Sequence, residues 1–394
     1  MATFNPHRFS HPETFAALKR PRLVTFLTPF KAFLERRGLC LPSNPGGCLD
    51  LELLVQIVMT PDADTPAAFI DALYYIHEMA THEGMDALLA EAQERDVVLD
   101  GNDDDTPLDV AIQVWLIEAD LLREKHAERH LARPRSFEYF NTDRRVPDFK
   151  LPNPATLRAL EHDLDNWFEE KKRGRGARVF VYPKEDAVWF LVQHGDPFRR
   201  EGSVDGRETG SVAYRPVKYD VLVYDPKSGE LGVNAGSVGE KKLYRVQLGK
   251  HLFGSEDFFP GEAKYTLDPL RDDGEASLDC DVEGIEWIKL REVQFYWGGR
   301  YGEIEVRKAS DVFGAYTARG RQLPSGGRLF KALFQVKFKD CKSPRSVTIK
   351  TSNVAQYTRD HDSVLIEKWL AKRGFIIMRE APDHVDAEPL LAGA

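Results

Sequence analysis

Cysteine is scarce in this sequence. Its 394 residues include only Cys40, Cys48, Cys280 and Cys341. No two form a C-x-x-C pair, which excludes a cysteine zinc ribbon. So few thiols suit a reducing compartment, and buried free thiols are expected over a Cys40–Cys48 bridge. Long apolar runs are also missing, since no stretch approaches the roughly 20 residues of a membrane span. Residues 1–8 contain no apolar signal-peptide core, so a cytoplasmic location is expected. Nor is there an excess of positive charge: 54 Lys and Arg face 63 Asp and Glu, a net charge of −9. That balance excludes general coating of polyanions but leaves room for a local basic patch. The basic stretches lack a facing stripe of Trp, Phe and Leu, so no lipid-surface role is expected. The sequence also has no G-x-S-x-G elbow, P-loop or G-x-G-x-x-G.

What is present is enough apolar material for packed cores, with 42% hydrophobic residues including 23 Phe. The length suits two domains. The first half has helical periodicity. One segment runs from Pro21 to Gly38 and is interrupted by Pro29. A nearly all-apolar piece spans Leu51 to Met59, and a helix opening at Thr65-Pro66 carries Phe69, Leu73, Ile76 and Met79 on one face. A further short helix covers Glu83 to Arg95. Thr106 is a helix cap, with Pro107 at the first helical position and Asp109 at the third. The stripe Val110, Val114, Ile117 and Leu121 follows, and past Leu122 the helix is expected to leave the core. Arg133 to Phe140 reads as a connector. Asn153-Pro154 opens another helix, which ends in the basic run Lys171-Lys-Arg-Gly-Arg-Gly176.

Beyond that run the period changes to two. Strands are expected over 178–182 and 187–192, then a hairpin over 219–224 and 230–234. Further strands are expected over 287–297, 333–339 and 346–351. Asp362 is expected to cap a helix that Gly374 stops, with a last strand over 375–378. The fold class is therefore α+β: an N-terminal all-α helical bundle followed by a strand-rich, mostly antiparallel α+β domain. The boundaries are 1–150 for the helical domain, 151–176 for a linking helix and basic segment, 177–380 for the strand-rich domain, and 381–394 for a frayed tail.

Several patterns suggest chemistry. His77 and His82 stand five apart, which splays them by roughly 140° on a helix and argues against a zinc pair. His126 and His130 have the four-residue spacing of a metal face. Arg123, Arg129 and Arg133 surround them, and such cations oppose a divalent ion. Read as a helical wheel, Arg123, His126, His130 and Arg133 form one positive stripe. Asp100-Gly-Asn-Asp-Asp104 resembles the start of a calcium loop but lacks its glycine and its closing glutamate. Two Glu-x-Lys triplets, Glu240-Lys-Lys242 and Glu262-Ala-Lys264, could serve a nuclease with Asp220 or Asp225 as the second carboxylate. Glu240, however, is expected to begin a helix. Arg199-Arg200, Lys241-Lys242 with Arg245, and Arg319-Gly-Arg321 are lesser basic runs, and rings stand near several, at Tyr139, Phe140, Tyr244 and Tyr316, a composition that suits phosphate contact and base stacking.

These observations favour a non-enzymatic binding subunit of a larger, bacterial-type assembly. It would contact nucleic acid or a protein partner through a local basic face of Arg123, His126, Arg129, His130, Arg133, Lys171, Lys172, Arg173 and Arg175. A metal-dependent nuclease and a structural scaffold are the alternatives. No cofactor and no metal are expected.

Overall fold

A computed structural model describes residues 7–377, apart from 45, 101–104, 145, 147, 185 and 360–362. The chain divides into two compact units, 1–129 with 199–214, and 130–198 with 215–394. The expected cap at Asp362, the tail and most of the acidic run lie outside the described residues. Among the described residues, no helix is long and apolar enough to cross a membrane.

The first unit contains helices α1 (Pro12–Ala16), α2 (Arg20–Leu27), α3 (Lys31–Arg36), α4 (Leu51–Met59), α5 (Ala67–Met79), α6 (His82–Glu94) and α7 (Pro107–Glu128). Pro29 sits in a 3-10 turn between α2 and α3, as its missing N–H requires. The apolar faces meet in one core that includes Leu27, Ile57, Phe69, Ile76 and Val114. At the start of α7, the Asp109 N–H donates to the Thr106 hydroxyl at 3.2 Å, and the Thr106 N–H donates back to the Asp109 carboxylate at 3.3 Å. This reciprocal cap satisfies two amides that have no partner within the helix. Thr106→Ala should therefore cost about 1 kcal/mol in a urea melt; an unchanged midpoint would mean the cap contributes nothing.

The end of α7 differs from the expectation. Glu118 has non-helical dihedrals (φ −149°, ψ 81°), which kink the helix and reset its phase. Ile117 is exposed, while Leu121, Leu122, His126 and Ala127 are buried. The last turns therefore stay in the core, and the single positive stripe does not form. The cysteines differ too. All four are free, but Cys40 and Cys48 are exposed because they lie in the loop between α3 and α4.

The strands are β1 (Ser136–Asn141), β2 (Arg178–Lys184), β3 (Ala187–Gly195), β4 (Arg199–Asp205), β5 (Glu208–Tyr214), β6 (Val217–Asp225), β7 (Glu230–Asn234), β8 (Ile285–Gly298), β9 (Glu303–Lys308), β10 (Arg328–Phe338), β11 (Arg345–Lys350) and β12 (Val354–Gln356). The β4–β5 hairpin groups with the first unit. The other ten strands form one sheet in the order β2-β3-β6-β7-β1-β12-β11-β10-β8-β9, with every pairing antiparallel. The fold is thus mixed helix and antiparallel sheet. The expected connector 133–140 is instead largely β1, a central strand that joins β7 to β12. The expected last strand is reduced to a bridge between Tyr265 and Ile376.

Helices α8 (Pro154–Glu170) and α9 (Val238–Phe253) cover one part of this sheet. Leu160, Leu164 and Phe168 from α8, and Leu243 and Leu248 from α9, pack with Phe190, Leu222 and Val233. After α9 come the short helices α10 (Pro269–Asp272) and α11 (Val312–Thr317), then α12 (Ser363–Lys372). Trp369 of α12 is fully buried, with its ring 5.2 Å from Phe334 of β10 and 5.2 Å from Phe375.

Candidate functional site

Two polar constellations in the second unit bear on function. The first is buried. β3 supplies His194, β6 supplies Lys218 and Asp220, α9 supplies Glu240 and Tyr244, and Arg173 follows α8. Lys218 and Asp220 are two apart on one strand, so they share a face of the sheet. Ser237 caps α9 and its hydroxyl accepts from the Glu240 N–H at 3.2 Å, which sets Glu240 in the first turn. One ligand atom each from His194, Asp220 and Glu240 lies within 4.8 Å of the others, the spacing of a metal set.

Most of those atoms are already engaged, although the buried Glu240 Oε2 has no hydrogen-bond partner among the described residues. Lys218 Nζ is 2.6 Å from Glu240 and 3.4 Å from Asp220, and Arg173 also donates to Glu240. The Tyr244 hydroxyl donates to Asp220 at 2.7 Å. His194 Nε2 is 3.0 Å from Asp220 and its Nδ1 is 2.8 Å from the Gly195 carbonyl. Both ring nitrogens thus face protein oxygens within hydrogen-bond distance. Phe168 stacks on the imidazole at 4.1 Å. The set works as an internal lock between α8, α9 and the sheet.

Burial pushes the Glu240 carboxyl up. Hydrogen bonds from Lys218, Arg173 and Ser237 outweigh that push and hold its pKa at about 2. A carboxylate depressed on folding stabilises the protein above its ordinary pKa, and that contribution is lost as pH falls through the folded value. Stability should therefore decline between about pH 4.5 and pH 2, and Glu240→Gln should remove that part of the decline. Identical acid melts for the two proteins would sink the assignment.

Neither Glu-x-Lys triplet builds a site as a unit. Lys242 is exposed on α9. Glu262 pairs with Arg245 at 2.9 Å, while Lys264 pairs with Glu230 and lies 3.7 Å from the Tyr139 ring centre. Asp220 and Glu240 do come together, but Lys218 is the lysine beside them.

The second constellation is open. A cavity of about 510 Å³ lies between edge strand β9, helix α11 and the loop after it. Arg307, Lys308, Tyr316, Arg319, Arg321 and Gln322 contribute to its lining. That volume falls in the range of ligand sites. Arg307 pairs with Glu305, and Lys308 is 3.8 Å from Glu292. Among the described residues, Arg319 and Arg321 have no ion pair, and the buried Tyr316 hydroxyl has no hydrogen-bond partner.

Local sequence explains the cleft's shape. Asp311 caps α11 by accepting from the Gly314 N–H at 3.0 Å, and Val312 and Phe313 anchor the helix in the core. Arg271 donates to the carbonyls of Pro324 at 3.1 Å and Gly326 at 2.8 Å, and to that of Gly327, which pins the loop. The Trp297 ring lies over this glycine pair so closely that a Cβ at Gly326 would meet it at 2.8 Å.

The residues singled out from sequence do not gather at either place as a group. Arg123 stacks 4.9 Å over Trp115 and pairs with Asp120. His126 is buried against Tyr74 and Tyr75, and Arg129 donates to the Glu78 carbonyl at 2.8 Å. In the second unit, His130 stacks on Tyr219 at 4.1 Å and Arg133 reaches His130. Lys171 lies over Trp167, and Lys172 is exposed with φ +63°. Arg175 binds Asn166 and Glu169, and Arg173 belongs to the buried lock.

Sequence reasoning reached Tyr316, Arg319 and Arg321 but missed Arg307 and Lys308. A signal for the region exists. Residues 298–328 carry six Lys and Arg against three Asp and Glu, and 312–328 contain no acid, in a chain of net charge −9. No protein-family model matches the sequence, and no curated protein matches it.

Proposed function

We propose that this chain is a binding protein for a phosphate-bearing polyanion, which it holds in the cleft between β9 and α11. One observation carries the reading: Arg319 and Arg321 line an open cavity without a carboxylate partner, beside Arg307, Lys308 and an unpartnered buried tyrosine hydroxyl. Arginine presents a planar fork of donors that suits phosphate oxygens, and an unpaired cation at a cavity keeps its charge available to a ligand. The cleft's local excess of positive charge overcomes the repulsion expected from a net charge of −9.

A binding role also fits the internal contacts of His194, Asp220 and Glu240 Oε1. Cleavage would require a divalent metal to sit beside the cations Lys218 and Arg173, which both contact Glu240 Oε1, so it is the weaker reading. The test compares polyanion binding by the wild-type chain and by the Arg319→Glu/Arg321→Glu variant, with and without Mg²⁺. Binding lost in the variant supports the proposal. Equal binding by both proteins overturns it, and Mg²⁺-dependent strand cleavage would favour the nuclease instead.

A further inference from the structure

The cleft opens beside a hairpin with unusual exposure. β8 and β9 meet at Gly298-Gly-Arg-Tyr-Gly302, where Tyr301 is 89% exposed. Tyr296 lies opposite Ile304 in the ladder, and directly paired residues share a face. Val306 and Lys308, two and four residues after Ile304, continue that face into the cleft. Tyr296, Ile304 and Val306 are all exposed. Arg328 of β10 stands opposite Tyr296 and lies 5.7 Å over its ring, and Arg300 is exposed beside Tyr301. Arg307 stands on the other face of β9, with Glu305, so the cleft's cations are approached from the edge of the sheet, next to the exposed aromatic tip of the hairpin.

We infer that the ligand of the cleft is a single-stranded nucleic acid, with phosphates held by Arg307, Lys308, Arg319 and Arg321 and a base stacked on Tyr301. The inference rests on the cleft reading and deepens it. Tyr301 stands in the turn six residues before Arg307, at most about 20 Å away at about 3.3 Å per residue, and a strand can reach from the one to the other. Exposed rings alternating with cations form the sequence-tolerant platform that single strands use, because every base has a stacking face and every nucleotide a phosphate. In a duplex the bases stack on each other, and their faces are closed to Tyr301.

The experiment measures fluorescence anisotropy with four probes at fixed salt: labelled oligo-dT and oligo-rU of about 20 nucleotides, longer than common single-strand site sizes, a duplex of the same length, and linear inorganic polyphosphate as competitor. Three proteins are compared: wild type, Tyr301→Ala and Arg319→Glu/Arg321→Glu. Tyr301 is so exposed that its removal leaves folding intact. The expected result is that both oligonucleotides bind more tightly than the duplex. Tyr301→Ala should weaken the oligonucleotides about 5- to 100-fold and leave polyphosphate affinity unchanged, and the double variant should lose all probes. Duplex binding equal to single-strand binding, or no effect of Tyr301→Ala on oligonucleotides that the double variant still loses, overturns this inference and leaves the cleft reading standing. Failure of every probe, polyphosphate included, overturns both.

Discussion

Glu240→Ala should lower the unfolding free energy by about 3 kcal/mol or more, the size expected when one member of a buried ion pair is removed. Glu240 is fully buried and holds Lys218 and Arg173 together. Its loss leaves Lys218 with the longer contact to Asp220 at 3.4 Å and Arg173 without its carboxylate. Both cations are part-exposed, with side chains 28% and 15% accessible, so water recovers some of the cost and the loss falls near the lower end. Glu240→Gln keeps the shape and should cost less. The measurement is urea unfolding of the three proteins near neutral pH. A Glu240→Ala midpoint matching wild type would show that the cluster is not a lock, and its ligand-like geometry would then need another explanation.

The second large effect concerns the cleft. Arg319→Glu/Arg321→Glu should reduce polyanion affinity on the order of 100-fold or more, since hydrogen bonds to charged groups contribute roughly 1.5–3 kcal/mol each. Reversal adds repulsion to the lost contacts. Both residues are exposed, so the thermal midpoint should stay close to wild type. A fall in affinity with an unchanged melt assigns the effect to the cleft. Unchanged affinity removes these arginines from the interface.

Local chemistry made much of the fold legible. The Thr106-Pro-Leu-Asp109 start of α7, the Asn153 cap of α8 and the hairpin joining β6 to β7 are set by neighbouring residues, and the structure has them where the pattern puts them. The departures have tertiary causes. β1 is short and carries Glu138 amid its rings, so nothing local reveals that its partners are β7 and β12, far away in sequence. The kink at Glu118 changes which face of α7 is buried, and a continuous helical wheel cannot show it. β9 is an edge strand with mostly exposed residues, so it lacks a buried alternation.

The same division holds for the sites. Asp220 and Glu240 drew notice as carboxylates, but Lys218 and His194 join them only through strand register and the packing of α9 on the sheet. Tyr316, Arg319 and Arg321 stand out as a basic run beside a ring. Arg307 and Lys308 reach the same cavity because β9 precedes α11 with only a short turn between them. Arg173 looked like surface charge within a basic run and is instead spent internally.

The most direct test of the central claim is a salt titration of oligonucleotide binding by the wild-type chain, from about 50 to about 200 mM monovalent salt. Phosphate contacts release counterions, and single strands give a slope of roughly −0.7 per phosphate neutralised. Four cleft cations therefore predict a logarithmic slope of about −3. Affinity that ignores salt, or no binding at the lowest salt, would contradict the account.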